Sequence, residues 1–270
     1  MTRALAPAKI NLALVVGPTR ADGKHELVTV YQRVSLADEL ELEPSDRLRV
    51  EGFAEDTLVG AALDALAAEA GVASAWRVRL EKLIPLAAGL GGGSSDAATA
   101  LRLANATLPE PLSTGRLHSL AAGIGADVPF FLADGPHLGE GDGTDLTPID
   151  LPQGYAVLLL LPHDVAKQST SAVYAAFDER HGALGFDERR SALLEALRQV
   201  ESPEDLARLP RNDLAASPLS ARLEELGAFR ADVTGAGPAL YGLFADERRA
   251  RAAASELASL GRTLVTTACC

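Results

Sequence analysis

Large apolar residues occupy every second position near the N-terminus, namely Ile10, Leu12, Leu14 and Val16. A period of two is the pattern of a β-strand, whose successive side chains point to opposite faces. The pattern therefore predicts a strand that carries Lys9 and Asn11 on the face opposite these apolar side chains. Similar alternation, or a short apolar run bounded by turn residues, predicts further strands at 27–34, 40–43, 48–51, 76–80, 155–161, 230–234, 240–244 and 263–267.

Helical spacing of apolar residues fills most of the intervals between these strands. It predicts helices at 57–70, 96–105, 114–122, 171–177, 188–200, 219–226 and 246–260. In the second half, the order of strand, helices, two strands, helix and strand is that of a split β-α-β sandwich. The segment 135–152 is rich in Gly, Pro and Asp and has no periodicity. We therefore predict a domain boundary there, between residues 1–148 and residues 149–270.

Charge and cysteine content narrow the class of protein. The 270 residues include 25 Lys and Arg against 37 Asp and Glu, a formal net charge of −12. Such a chain lacks the positive field of a general nucleic-acid or anionic-membrane binder, although a local pocket can still hold an anionic small molecule. Cys269 and Cys270 are adjacent and cannot crosslink distant segments, which favours a reducing, cytoplasmic location. The apolar run 155–161 is too short to span a bilayer, and Lys9 and Asn11 interrupt the stretch that a secretory signal would need.

A dense run of glycines lies between a predicted strand and a predicted helix. It comprises Gly89, Gly91, Gly92 and Gly93, and Ser94 and Ser95 follow it. Glycines let backbone N–H groups approach a ligand closely, and a helix N-terminus favours anions. The run therefore predicts a phosphate-binding loop, in which the serine hydroxyls can donate to phosphate oxygens or hold a Mg²⁺-bound water. It lacks the Lys of a Walker A loop and the third glycine of a dinucleotide fingerprint. A flexible turn before a capped helix is the plainer alternative.

Two charged residues outside this loop are candidates for catalysis. Lys9 is either a solvated surface lysine or, because Asn11 shares its face, part of a site. Asp127 lies among apolar residues between Gly125 and Pro129. It is either a helix cap or a base that accepts a proton. From the residues alone, these segments predict a phosphate site with a candidate Lys–Asp pair.

Segments 7–12, 85–98 and 234–237 resemble the three motifs of the galactokinase, homoserine kinase, mevalonate kinase and phosphomevalonate kinase (GHMP kinase) superfamily. Segments 20–27 and 125–131 are similar to those of the branch that acts on a cytidine-diphosphate derivative of methylerythritol, in the non-mevalonate route to isoprenoids. The resemblance implies an α+β, two-domain GHMP kinase fold. It has an N-terminal ribosomal-protein-S5-like α/β domain and a C-terminal ferredoxin-like domain, with the active site in the cleft between them.

The same resemblance implies an ATP- and Mg²⁺-dependent transfer of the γ-phosphoryl group to the 2-hydroxyl of the methylerythritol moiety. Asp127 would take the hydroxyl proton, and Lys9 would orient Asp127 and stabilise developing negative charge. The ATP phosphates would lie within the loop 85–96, at Pro85, Leu86, Ala87, Ala88, Gly89, Leu90, Gly91, Gly92, Gly93, Ser94 and Ser95. The acceptor and its cytidine would contact Asn11, His25, Tyr31, Tyr174, Gly235 and Gly237. No side chain is predicted as a metal ligand.

Three positions depart from the family pattern. Lys24 stands where the family has a tyrosine before the cytosine-binding histidine, and Thr57 stands where an asparagine is proposed to touch adenine. Pro238, in the third motif, has no N–H and cannot donate to a ligand. The partner expected is a small molecule, without nucleic acid or membrane, and the protein is expected to be a monomer or weak homodimer. A kinase of another small alcohol, homoserine- or mevalonate-like, and a catalytically inactive nucleotide sensor are the alternatives.

Overall fold

A computed structural model describes residues 1–53, 58–165 and 168–269. Within these residues the chain forms ten strands: β1 (Thr2–Thr19), β2 (His25–Pro44), β3 (Arg49–Glu51), β4 (Trp76–Glu81), β5 (His137–Glu140), β6 (Asp145–Pro148), β7 (Ala156–Pro162), β8 (Arg230–Val233), β9 (Leu240–Phe244) and β10 (Gly261–Cys269). It also forms eight α-helices: α1 (Leu58–Ala70), α2 (Gly92–Asn105), α3 (Thr114–Ile124), α4 (Val128–Leu132), α5 (Thr170–Glu179), α6 (Phe186–Arg198), α7 (Pro218–Glu225) and α8 (Glu247–Leu257). A 3-10 helix spans Pro203–Arg208. Over the described ranges, no helix is both long enough and apolar enough to cross a membrane.

Contacts divide the chain into two compact units that are discontinuous in sequence. Unit 1 consists of residues 1–8, 36–86 and 91–134, and unit 2 consists of residues 9–35, 87–90 and 135–270. Both β1 and β2 contribute residues to each unit. These two units are not the two domains that the sequence predicts. The domain boundary between residues 148 and 149 stays a prediction.

Unit 1 contains a small sheet and four helices. In its sheet β4 pairs antiparallel with the C-terminal part of β2 and parallel with β3. Along β4, Trp76, Val78 and Leu80 are buried while Arg77 and Arg79 are exposed, as their alternation predicted. Helix α2 packs against α1 and α4, and α3 packs against the same two helices. The buried side chains of this helical layer include Leu63, Leu66, Leu101 and Phe130.

Unit 2 contains an antiparallel sheet in the order β10-β7-β9-β8. Helices α5 to α7 connect β7 to β8, and α8 connects β9 to β10. This strand order and connectivity are those of the split β-α-β, ferredoxin-like arrangement, which confirms the sequence prediction for this part of the chain. Its core contains Leu158, Leu160, Leu223, Phe244 and Leu257, all fully buried.

The structure differs from the predicted elements at several places. The two strands predicted at 27–34 and 40–43 are one long strand, β2, which pairs with β10 at Arg33 and Val34 and with β4 from Glu39 onward. The segment 135–152, predicted to be irregular, contains the hairpin of β5 and β6, and β5 pairs with β2 at Thr29↔Gly139 and Tyr31↔His137. Helix α2 begins at Gly92, four residues before the predicted start, because its glycines adopt helical geometry.

One buried arginine of unit 2 hydrogen-bonds to segments that are far apart along the chain. Arg230 on β8 is 1% exposed, and its guanidinium donates to the carbonyl oxygens of Leu12 at 2.6 Å and Leu209 at 2.7 Å. Its Nε donates to the hydroxyl oxygen of Tyr241 at 2.9 Å, and that hydroxyl in turn donates to the carbonyl of Leu12 at 3.1 Å. Because Arg carries several donors in a fixed plane, it can satisfy this set of carbonyls where a shorter or single donor could not.

Candidate active site

Lys9 and Asn11 are buried on β1, with exposures of only 3% and 4%. The Lys9 ammonium donates to the Asn11 side-chain oxygen at 2.7 Å, and the Asn11 amide donates to the Thr29 hydroxyl at 2.8 Å. The alternative of a solvated surface lysine is therefore wrong. A buried ammonium is costly unless it is hydrogen-bonded, so this side chain is held in place by a dedicated partner.

Three sequence segments that are far apart along the chain meet within unit 2. The backbone N–H of Lys9 donates to the carbonyl of Leu90 at 2.9 Å, and that of Asn11 donates to the Thr234 hydroxyl at 3.1 Å. The Thr234 hydroxyl also lies 3.3 Å from the carbonyl oxygen of Gly89. The first, second and third predicted motifs thus contact one another through these hydrogen bonds.

Three of the predicted glycine positions lie at this contact. Gly89 has a φ of +83°, and an added Cβ would lie 2.3 Å from the carbonyl oxygen of Thr234. Gly235 has a φ of +57° and lies against Gly89 and the Asn11 side chain. Gly237 has a φ of +76° and donates its N–H to the carbonyl of Thr234 at 3.0 Å. These backbones approach each other closely because no side chain separates them.

Tyr31 lies beside the Lys9 ammonium. Its ring centre is 5.6 Å from Lys9 Nζ, within the range of a cation–π contact. The Tyr31 side chain also packs on the β5–β6 hairpin, where a Cβ at Gly139 would lie 2.6 Å from a ring carbon and one at Gly143 would lie 2.8 Å from the hydroxyl oxygen. The glycines of this hairpin therefore make room for the ring, a reason for the segment's composition that its sequence did not reveal.

The N-terminus of α2 has the features expected of a phosphate site. Gly91 precedes the helix with a φ of +70° and supplies no side-chain cap, so the first N–H groups lack intrahelical partners. Ser95 Oγ and Asp96 Oδ1 are buried and have no hydrogen-bond partner among the described residues. Such atoms are rare in folded proteins, and they fit a site that a phosphate and its cation complete. Ser94 is half-buried on the same turn.

Packing accounts for part of the glycine requirement. A Cβ at Gly92 would lie 3.0 Å from a methyl carbon of Ile84, and one at Gly93 would lie 3.1 Å from Leu58.

Before the helix, Pro85 is half-buried and Leu86 is exposed, and Ala88 accepts a hydrogen bond from the N–H of Ala239. Ala87 has a φ of +48°, in the left-handed region that non-glycine residues avoid.

A half-buried lysine and two buried carboxylates support the start of α2. Lys82 Nζ lies 2.5 Å from both Asp38 Oδ2 and Asp96 Oδ2, and Asp38 also accepts from the N–H groups of Leu83 and Ile84. Burial raises the pKa of Asp96 to about 7, against the attraction of Lys82. Burial alone would lower the pKa of Lys82, but its bonds to both carboxylates outweigh burial and raise it.

Asp127 lies in unit 1, immediately before α4. It occupies the N-cap position of that helix, yet its carboxylate accepts no capping hydrogen bond from it. The interpretation of Asp127 as a helix cap therefore does not hold. The pairing of Asp127 with Lys9, which belongs to unit 2, stays a prediction, as do the roles of both residues.

His25 begins β2 and packs against one face of α5. Its Nε2 lies 2.8 Å from Asp178 Oδ1, and its ring centre is 4.7 Å from that of Tyr174. Phe177 meets the same ring edge-on at 5.9 Å. Of the three residues predicted to contact cytidine, His25, Tyr31 and Tyr174, the first and the last are thus in contact with each other.

Lys24 is committed to an ion pair. Its Nζ lies 2.5 Å from Asp142 Oδ2 in the turn between β5 and β6. Burial would raise the pKa of Asp142, but hydrogen bonds from Lys24 and Thr144 outweigh it and lower that pKa. Asp142 lies 118 positions from Lys24, and the sequence analysis did not predict this pairing. The adenine contact predicted near Thr57 lies outside the described residues.

Sequence reasoning missed Thr234 as a bridge, Asp178 as the partner of His25, and the Lys82 cluster. Asp178 lies 153 positions from His25, and Thr234 lies 223 positions from Asn11. No local pattern links residues so far apart. The Lys82 cluster had a weak signal, since Lys82 and Asp96 flank the glycine loop that the sequence singled out.

Comparison with known proteins places these features in a family. The GHMP kinase N-terminal domain model matches residues 57–135, and the GHMP kinase C-terminal model matches residues 216–263. A 4-diphosphocytidyl-2-C-methyl-D-erythritol kinase of Syntrophus aciditrophicus is 37% identical over 278 residues, which cover 97% of this chain and 96% of the relative. The kinase of the same name from Salinispora arenicola is 39% identical and covers 96% of this chain and 88% of its own.

A solved structure is similar over the whole length. The crystal structure of a 4-(cytidine 5'-diphospho)-2C-methyl-D-erythritol kinase matches with a TM-score of 0.80 and 34% identity, covering 100% of both chains. The similarity therefore extends over the whole chain and is not confined to the three motifs.

Proposed function

The chain belongs to the family of 4-diphosphocytidyl-2-C-methyl-D-erythritol kinases within the GHMP kinases, and on that premise we propose its substrate. It is a small-molecule kinase. The acceptor is the 2-hydroxyl of 4-diphosphocytidyl-2-C-methyl-D-erythritol, an intermediate of the non-mevalonate isoprenoid pathway, and the donor is ATP. The observation that carries the proposal is the contact among the three motif segments at Lys9, Gly89 and Thr234, in a chain similar to these kinases over its whole length.

The reaction requires positioning and charge stabilisation more than covalent chemistry from the protein. The acceptor oxygen forms a bond to the γ-phosphorus as the bond from that phosphorus to the β,γ-bridging oxygen breaks, which releases ADP. In our proposal Asp127 takes the proton of the 2-hydroxyl, and the Lys9 ammonium stabilises the negative charge that develops. The bond from Lys9 to Asn11 supports this role, because it fixes the ammonium before substrate arrives.

The loop at 85–95 is the proposed site for the ATP phosphates. The uncapped N-terminus of α2 and the unpartnered hydroxyl of Ser95 support this assignment. When bound, Mg²⁺ would neutralise charge on the transferring phosphates, with the hydroxyls of Ser94 and Ser95 in reach of phosphate oxygens or cation-bound water. Asn11, Gly235 and Gly237 form the acceptor side of the proposal, and His25, Tyr31 and Tyr174 form its cytidine side.

The remaining parts of the proposal concern surroundings and partners. The enzyme acts in the cytoplasm as a monomer or weak homodimer, on a small molecule and without a nucleic-acid or membrane partner. The net charge of −12 supports the last point, since it opposes binding to polyanions.

The test is a comparison of acceptors with the purified full-length protein. We expect ADP release with the cytidylated substrate, and a new phosphomonoester on its 2-hydroxyl by phosphorus NMR. Homoserine and mevalonate should give no release above the background of ATP alone. Phosphorylation of either small alcohol at a rate comparable to that of the cytidylated substrate would contradict the proposal, and ATP binding without turnover of any acceptor would favour a nucleotide sensor.

A further inference from the structure

His25 has its two ring nitrogens in different surroundings. Nε2 lies 2.8 Å from a carboxylate oxygen of Asp178 and 3.5 Å from the Thr19 hydroxyl. Among the described residues, no group hydrogen-bonds to Nδ1. A carboxylate can only accept, so Nε2 must carry the hydrogen when His25 is neutral, and Nδ1 is then an acceptor.

The orientation of the ring is fixed as well as its tautomer. Tyr174, Phe177 and Asp178 are three and four residues apart on α5, so they share one face of the helix. Tyr174 and Phe177 hold the plane of the imidazole, with interplanar angles of 31° and 83°. Asp178 then determines which nitrogen carries the hydrogen.

The position of Asp178 is not explained by helix stability. It lies in the last turn of α5, where the helix dipole disfavours a negative charge. Its side chain is 51% exposed, so its pair with His25 adds little to folding. A residue with this placement is better explained by what it does to His25.

The tautomer has a direct consequence for base selection. Cytosine presents an amino group at C4, which donates, whereas uracil presents a carbonyl oxygen there, which accepts. An acceptor at Nδ1 can receive a hydrogen bond from the cytosine amino group. With uracil, the same Nδ1 faces a carbonyl oxygen, which is also an acceptor, so no hydrogen bond forms. Leaving such a pair unsatisfied in a site is costly.

We propose that Asp178 is a positioning residue that holds His25 as its Nε2–H tautomer and thereby makes the site select a cytosine nucleotide over a uracil nucleotide. This inference rests on the proposed function, in which the acceptor substrate carries a cytidine, and it states how that base is selected.

The test measures binding of CDP and UDP to the full-length protein, together with the tautomer of His25 by nitrogen-15 NMR. The wild type should bind CDP more tightly than UDP and show the Nε2–H form, with the signals assigned by comparison with His25→Gln. In Asp178→Asn the amide can donate to Nε2, so the Nδ1–H form becomes populated. The CDP preference should then fall about tenfold.

Two further variants separate this role from charge and packing. Asp178→Glu should retain the Nε2–H signature and most of the CDP preference. Asp187→Asn removes the same charge from an exposed residue of α6. Asp178 and Asp187 line one open cavity, and this variant should leave both readouts unchanged. A loss in Asp187→Asn equal to that in Asp178→Asn would overturn the proposal.

The inference and the proposed function fail in different ways. An unchanged CDP preference in Asp178→Asn, or a wild type that binds both nucleotides equally, overturns the inference whatever the kinase assay shows. A wild type that prefers CDP in an Asp178-dependent way but does not phosphorylate the cytidylated substrate supports the inference and overturns the proposed reaction.

Discussion

Lys9 and Asn11 lie two positions apart on one strand, and the lysine ammonium donates to the asparagine oxygen at 2.7 Å while both side chains are buried. Asn11 therefore acts as an acceptor that keeps a buried cation in one place. The Asn11 amide nitrogen in turn donates to the Thr29 hydroxyl, so the oxygen and the nitrogen of this side chain are both hydrogen-bonded.

Asn11→Ala should lower turnover by more than tenfold, because Lys9 loses its hydrogen bond to the Asn11 side chain. It should also lower the free energy of unfolding by about 1–3 kcal/mol, since buried polar atoms lose their partners. Urea unfolding and steady-state kinetics measure the two effects. Thr29→Val is the matched control: it should cost similar stability but much less turnover, because the bond from Lys9 to Asn11 remains. Equal losses of turnover in both variants would count against an orienting role.

Asp127→Asn keeps the shape of the side chain but removes its ability to take a proton. Turnover should fall by about 10²–10⁴-fold, the usual contribution of a general base. Affinity for an ATP analogue, measured by calorimetric titration, should stay within a factor of two or three of wild type, on the order of 0.5 kcal/mol. A variant that keeps more than half of the wild-type turnover would show that Asp127 is not the base.

Gly89→Ala should be far more damaging than Gly23→Ala. Both glycines have positive φ, +83° and +80°, so the backbone strain of an added Cβ is matched. Only at Gly89 would the Cβ meet another backbone, 2.3 Å from the carbonyl of Thr234, whereas at Gly23 it would meet nothing within 4 Å. Thermal unfolding and kcat/KM should separate the two variants. Equal losses would mean that strain alone, and not the contact between motifs, requires glycine at 89.

The stability of Asp96→Asn should rise relative to that of the wild type as the pH rises. The pKa of Asp96 is raised from an ordinary 3.8 to about 7 in the folded state, so the folded chain binds a proton there that the unfolded chain has released. By linkage, this group makes folding less favourable as the pH rises from about 4 to about 7. The difference in Tm between Asp96→Asn and wild type should therefore grow from pH 5 to pH 7 and then level off. Asp64→Asn, at an exposed position of α1, should show no such trend.

Lys24 should prove structural rather than a substrate ligand. Since its ammonium pairs with Asp142, Lys24→Ala and Asp142→Asn should each change the KM for the cytidylated substrate by less than about threefold, and the double variant should match the single ones. The KM for ATP should not change in any of them. A tenfold rise in KM for Lys24→Ala, with Asp142→Asn silent, would instead make the ammonium a ligand of the diphosphate.

Local sequence pattern predicted the strands and the glycine loop because alternation and glycine density are local properties. The order of elements in the second half of the chain was sufficient for the ferredoxin-like sheet. The sequence did not predict the β5–β6 hairpin, because its short strands are defined by pairing with β2, through partners such as Tyr31, rather than by their own periodicity.

The site was predictable only in its separate parts. Local pattern singled out the glycine loop and Lys9, and resemblance to a family added His25, but the partners that hold these residues are contributed by distant segments. Asp178 is an ordinary exposed helix residue in the sequence, and Thr234 precedes a glycine turn without any polar pattern around it. Only the folded chain shows that each completes a hydrogen bond to a residue more than 150 positions away.

The hydrogen bonds that end at Asn11 and Leu12 also set the order in which the protein can become active during its synthesis. The strand carrying Lys9 leaves the ribosome first, yet the acceptor for the N–H of Asn11 is Thr234, and the donors to the carbonyl of Leu12 are Arg230 and Tyr241. A nascent chain that lacks the final fifth of the sequence has its lysine and its glycine loop but lacks Thr234, which hydrogen-bonds to both Asn11 and Gly89. We therefore expect the growing polypeptide to remain inactive as a kinase until translation is nearly complete.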